Sequence, residues 1–182
     1  LVREIRKYLD DSGFWEVETP TLQPLYGGAN AKPFTTHHNA LDHNFYLRIA
    51  DELYLKRLVA GGYDKVYEIC KDFRNEGFDQ THNPEFTMIE YYEAYADYQK
   101  VMDTTEGLFK HLAKEVLGEM ELLVGDKKID IGKSWPRIKM TDIIKEKLGL
   151  DVNKMSDSEL ADFCKKNSIE LLGGETKGQL IF

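Results

Sequence analysis

Only two cysteines, Cys70 and Cys164, occur among the 182 residues. They are too few for a disulfide framework and show no metal-ligand spacing, so a reducing cytoplasm is the simplest compartment. Cys70, inside a strand-like stretch, reads as a core residue rather than a nucleophile. Long apolar runs are missing as well. No stretch approaches the roughly 20 residues of a membrane-spanning helix, and residues 1–12 form a charged amphipathic pattern rather than the apolar centre of a signal peptide. Positive charge is in deficit, with 24 Lys and Arg against 32 Asp and Glu and a net charge of −8. Phosphate contacts need clustered cations, so the chain is not expected to hold nucleic acid by itself. Neither an internal repeat nor a low-complexity tract is present.

What is there suits one domain with a sizeable core: 42% of the residues are hydrophobic and 31% charged. A helix is expected at 2–12, stopped by Gly13, then a strand at 14–18 running into Pro20 and a Gly- and Pro-rich loop at 23–33. Residues 45–49 alternate as a strand. Asp51 can cap a helix whose apolar positions Tyr54, Leu55, Leu58 and Val59 form one stripe before Gly61 and Gly62. Asp97 caps a long amphipathic helix through Val116, and residues 122–131 read as a hairpin about Gly125 and Asp126. A short strand at 137–140, a helix from Thr141 and a helix capped by Ser156 and Glu159 follow. Helices mixed with mostly antiparallel strands define an α+β class.

The densest chemistry lies between Lys65 and Ala96. Residues 65–76 and 86–96 each alternate like half-buried strands, with a polar loop at 77–83. A period of two puts Arg74 and Glu76 on one face of the first strand, and Phe86, Met88, Glu90 and Tyr92 on one face of the second. Charges on such a wall are costly to desolvate unless they pair or meet a ligand, so a structural Arg–Glu bridge and a binding site both fit. Glu90 and Tyr92 can converge on one cationic group; an ammonium fits and an acidic side chain is repelled. A paired-carboxylate glycosidase fits poorly, because these carboxylates lie among phosphate- and base-binding residue types.

The wording FRNEG at 73–77 followed by HNPEFTMIEYYEAYADY at 82–98 resembles motif 2 of the class II aminoacyl-tRNA synthetases, and within them the lysyl-tRNA synthetases. GFWEVETPTLQP at 13–24 is similar to their motif 1, and the stretches at 27–42 and 46–58 resemble the segment between the motifs. The resemblance implies the class II catalytic fold, an antiparallel sheet flanked by helices, with motif 1 at about 13–24 and motif 2 at about 64–96. It implies ATP-dependent activation of lysine and its transfer to tRNA(Lys). Arg74 would bridge the lysine carboxylate and the α-phosphate. Glu76 would lie near the adenine amine, His82 toward the γ-phosphate and Asn83 beside the base, with Phe86 stacked on it. Glu90 and Tyr92 would meet the lysine side chain, and Glu52 with the Gly28 carbonyl the α-amino group. Without the family, Glu52 reads as a first-turn residue that favours the helix dipole, and Phe86 as a core aromatic.

Other expectations concern what lies outside the motifs. His37, His38 and His43 lack the pattern of a zinc site, so no metal residue is assigned. Mg2+ accompanies ATP in the family, with its ligands expected beyond residue 182. No match to the third family motif or to the anticodon-binding barrel is found. Thr176 and Gln179 open a helix cut within its first turns, so residues 1–182 are expected to be the N-terminal part of a catalytic domain, inactive alone. Motif 1 implies a homodimer. A lysyltransferase that modifies elongation factor P and a noncatalytic synthetase-like binding protein are the alternative readings.

Overall fold

In the computed structural model, which describes residues 1–171 and 173–182, the chain begins with helix α1 (Val2–Asp11). The helix stops as expected at Ser12, and Gly13 turns the chain at a φ of +82° that favours glycine. Strand β1 is shorter than the alternation suggested, only Trp15–Glu16, and pairs in parallel with the first strand of a long hairpin. That hairpin is β5 (Lys65–Phe73) and β6 (Glu85–Glu93), an antiparallel ladder of nine residue pairs.

The register sorts the ladder into two faces. Tyr67 opposite Tyr91 and Ile69 opposite Ile89 point one way. They pack with Ile5, Tyr8, Leu9 and Phe14 to form the main core cluster. Tyr67 and Leu9 are fully buried, and each large apolar side chain removed from water contributes about 1.5–3 kcal/mol. Helix α3 (Tyr98–Leu112), capped by the Asp97 carboxylate on the Lys100 N–H, joins this face. The Tyr91 hydroxyl hydrogen-bonds Thr105, and Tyr8 reaches the Thr104 carbonyl. Gly107 leaves room for the Tyr8 hydroxyl, which any Cβ there would strike.

On the opposite face, Val66 lies across from Tyr92, Glu68 from Glu90, Cys70 from Met88 and Asp72 from Phe86. Helix α2 (Glu52–Ala60) contacts both strands of the hairpin. A second sheet in the order β2 (Leu22–Gln23), β4 (His43–Leu47), β3 (Thr35–His38) precedes α2. The strand expected at 45–49 is thus shifted to β4, and its partner β3 was not foreseen. After α3, the chain widens into a π turn at Ala113–Leu117, and β7 (Glu121–Val124) with β8 (Lys127–Asp130) form the expected hairpin.

Three expectations change. Strand β5 ends at Phe73, so Arg74 and Glu76 lie in the loop rather than on a strand face. The Asp51 side chain makes no capping bond to α2, because it is buried and taken up elsewhere. Residues 137–140 form no strand; Pro136 precedes them, and helix α4 (Met140–Leu148) starts at once.

The chain divides into two compact units, Leu1–Lys133 and Ser134–Phe182. The second unit holds α4, α5 (Asp157–Lys166) and α6 (Lys177–Ile181), and among its described residues Val152, Leu160 and Cys164 are buried. Both α5 and α6 open on the capping boxes read from the sequence, Ser156 with Glu159 and Thr176 with Gln179. No helix among the described residues is long and apolar enough to cross a membrane.

Candidate active site

The polar face of the hairpin carries two features, and beneath it lies a buried guanidinium. Arg48, at the end of β4, is 4% exposed and donates to Glu68 at 2.7 Å and to the Lys71 carbonyl at 2.9 Å. Its Nε lies 3.5 Å from Asp51 and 3.4 Å from Asp72, both fully buried. Glu68 also accepts from the Thr19 hydroxyl at 2.6 Å and from its N–H at 3.2 Å, which pins the 13–24 segment to the sheet. The Cys70 thiol donates to both Asp51 oxygens at 3.0 Å; burial first, then Asp51, push it far above an ordinary thiol, so it is no nucleophile. Burial also raises Asp51, and it pushes Asp72 up to about 7 together with the charge of Asp51 beside it.

Just beyond this cluster the chain leaves the sheet and forms a cavity of about 370 Å³. Arg74, Glu76, Gly77, Gln80, Thr81, His82, Asn83 and Phe86 line it. Arg74 is fixed by its main-chain N–H on the Pro84 carbonyl, its guanidinium near the Ile49 carbonyl, and a Phe86 ring whose centroid is 5.1 Å from Cζ. The Lys32 N–H donates to Glu76 at 3.2 Å, and the Asn75 N–H to the Lys32 carbonyl at 2.8 Å, so the Gly-rich loop borders this cavity. His82 Nδ1 lies 2.7 Å from Asp79. The Thr81 N–H and then the His82 ring hold the Asp79 carboxyl well below the usual range, so the ring nitrogen donates to it. The Asn83 amide is turned to the Glu85 carbonyl.

The second feature lies along the same face. The Tyr92 hydroxyl donates to Glu90 at 2.9 Å. Burial raises Glu90 above an ordinary carboxyl while the Tyr92 hydroxyl pulls the other way, and burial and Glu90 together raise the Tyr92 phenol. Glu52 binds the Lys56 ammonium at 2.6 Å, and that ammonium stands 5.9 Å from the Tyr92 ring centroid. Gly28, at φ +89°, packs so closely on Glu52 that any Cβ would come within 2.8 Å of the Glu52 Cβ. Glycine is therefore required there, and it brings the 27–33 loop against α2.

The structure brings Arg74, Glu76, His82, Asn83 and Phe86 to one cavity, and draws Glu90 with Tyr92 and Gly28 with Glu52 into contacting pairs. Glu68 and Glu93, left without a role by the sequence, pair with Arg48 and with Lys65 at 3.1 Å. Sequence reading missed Arg48, Asp51 and Asp72. The alternation Glu68, Cys70, Asp72 on a buried strand face was the available signal, and the face was assigned from Arg74 instead. His37 hydrogen-bonds Asn44 and pairs with Asp42, while the His38 ring accepts from Leu41. Among the described residues lining the cavity Glu76 is the one carboxylate, so they do not by themselves make a Mg2+ ligand set. Among the described residues the one metal-like group is Asp51, Cys70 and Asp72, where Arg48 already supplies the cation.

Comparison with known proteins bears on this arrangement. The family model of class II tRNA synthetases (D, K and N) matches residues 1–171. The chain is 56% identical over 170 residues to lysine–tRNA ligase 2 of Methanosarcina mazei, covering 93% of this chain and 33% of that protein. It is 51% identical over 182 residues to the lysine–tRNA ligases of Bacillus mycoides and Bacillus cereus, covering 100% of this chain and 36% of each. The chain spans about a third of the length of these curated relatives.

Proposed function

Since the chain belongs to the class II tRNA synthetases of the D, K and N group, we propose that it supplies one wall of the site where a lysine–tRNA ligase joins lysine to ATP and passes it to tRNA(Lys). On this reading residues 1–182 form the N-terminal part of the catalytic domain. The observation that carries it is the convergence of the Arg74–Phe86 cavity and the Glu90–Tyr92 pair on one face of a single hairpin.

Activation requires the lysine carboxylate to attack the α-phosphate of ATP, forming the mixed anhydride and expelling pyrophosphate. Charge grows on the phosphate oxygens as this happens, and the Arg74 guanidinium clamps both the attacking carboxylate and the α-phosphate. Phe86 stacks on adenine, its ring steadied by the Arg74 guanidinium 5.1 Å from its centroid. Glu76 meets the exocyclic amine, Asn83 lies beside the base, and His82, steadied by Asp79, faces the γ-phosphate. Glu90 and Tyr92 receive the lysine side-chain ammonium, and Glu52 with the Gly28 carbonyl receives the α-amino group. The Lys56 ammonium held between Glu52 and Tyr92 supports a pocket suited to such a group. An acidic substrate would leave the half-buried Glu90 facing a like charge, at a cost on the order of several kcal/mol.

Mg2+ accompanies ATP in this reaction, and no step here is assigned to it. The 13–24 segment serves as a homodimer contact, and the protein works in the cytoplasm. The test is ATP–pyrophosphate exchange by the full-length protein with each protein amino acid in turn. Lysine alone should support exchange; exchange driven equally by aspartate or asparagine would overturn the reading.

A further inference from the structure

Beneath the substrate face, the acids Asp51 and Asp72 are not used by the chemistry above. Both are fully buried, and their ligand atoms and the Cys70 sulfur lie within 4.8 Å of one another. Two carboxylates so close in a dry site cannot both ionise cheaply, and one guanidinium, Arg48, serves both at 3.5 Å and 3.4 Å. Asp72 Oδ2 is buried and meets no hydrogen-bond donor, although native interiors rarely leave such an atom unpaired. A proton held between the two acids removes both difficulties.

The pair is also joined to the amino-acid pocket. Asp72 and Glu90 lie on the same face of the ladder, and Asp51 immediately precedes Glu52 at the start of α2, the helix that contacts both strands of the hairpin. Asp72 precedes Arg74 by two residues and feels its guanidinium. We propose that Asp51 and Asp72 form a proton-sharing pair that reads the charge of the bound amino acid, releasing a buried proton when a cationic side chain docks on Glu90 and Tyr92. The inference rests on the proposed lysine site and adds to it a pair of positioning residues that set selectivity for a cation.

The direction follows from charge counting. With one proton, the two acids carry a single negative charge beside Arg48, which also holds Glu68 at 2.7 Å. Without it they carry one extra negative charge, which favours an incoming ammonium and a firmly held Arg74. Asp72 is faced by Arg48, Asp51, Cys70, Arg74 and Glu90, and Asp51 also by Glu68. Of these, Arg48 and Arg74 stay cationic and the raised Cys70 thiol stays protonated, so the exchangeable proton belongs to the acids. By linkage, lysine binding and proton loss promote each other.

The experiment is isothermal titration of lysine into the full-length protein near pH 7, in two buffers of different ionisation enthalpy. Wild type should release a fraction of a proton per lysine bound, and lysine affinity should rise several-fold as the pH passes through about 7. Asp72→Asn, which keeps the shape and a hydrogen-bonding group, should release none and show a flat affinity profile. Lysine binding by wild type with no proton release near pH 7 overturns the inference without recourse to a variant. Equal release from wild type and Asp72→Asn also overturns it, since Glu90 would then be the source. Absence of lysine binding in wild type defeats the proposed lysine site itself, and the inference with it.

Discussion

The two faces of the β5–β6 hairpin share one backbone and differ in every demand placed on their side chains. One face packs Tyr67, Ile69, Ile89 and Tyr91 against α1 and α3, where shape and apolar area decide. The other carries Glu68, Cys70, Asp72, Phe86, Glu90 and Tyr92, where burial is equally deep in places but every charge needs a partner. Adjacent residues of one strand therefore serve stability and chemistry alternately. The charged face is held in place by its own network centred on Arg48, and the apolar face supplies the core that packs against α1 and α3.

Substitutions on the two faces should separate accordingly. Arg74→Ala, at the head of the charged face, should lower lysine-dependent pyrophosphate exchange by about 10²–10³-fold or more while leaving the urea midpoint nearly unchanged. A matching loss of stability would blur the division. Leu9→Ala, in the core under the apolar face, should cost about 2–5 kcal/mol in urea unfolding and leave turnover per folded molecule as it was. Phe86→Leu should weaken ATP by about 1–3 kcal/mol through lost stacking, seen as a higher KM for ATP with the KM for lysine little changed.

A further difference between the faces is a pH slope. The Asp72 carboxyl, raised in the folded protein to about 7, holds its proton more tightly than in the unfolded chain, where its value is about 4. Its contribution to stability is therefore complete below about pH 4 and is lost as the pH rises through about 7. Urea midpoints of wild type should decline over that window, and those of Asp72→Asn should decline less. Parallel profiles would remove Asp72 from the account.

Much of this was legible in the sequence because the chemistry is local. Helix stops at Gly13, the Asp97, Ser156 and Thr176 caps and the 122–131 hairpin follow from neighbouring residues alone, and the structure bears them out. The residues of the Arg74 cavity are nearly contiguous in sequence, so a loop between two strands suffices to gather them. Arg48 and Asp51 were not legible as partners of Glu68 and Asp72, because those contacts span 20 residues or more and depend on how β4 and α2 meet the sheet. The strand expected at 137–140 failed for a related reason: alternation signals a strand only where a partner strand exists, and none lies among the described residues of its unit.

The central claim is that the charged face binds lysine through Glu90. Steady-state pyrophosphate exchange by full-length Glu90→Gln tests it most directly, with the KM for lysine and for ATP measured separately. A rise in the lysine KM equivalent to about 2–4 kcal/mol, with the ATP KM unchanged, is the predicted result. An unchanged lysine KM in a folded, active Glu90→Gln variant would contradict it.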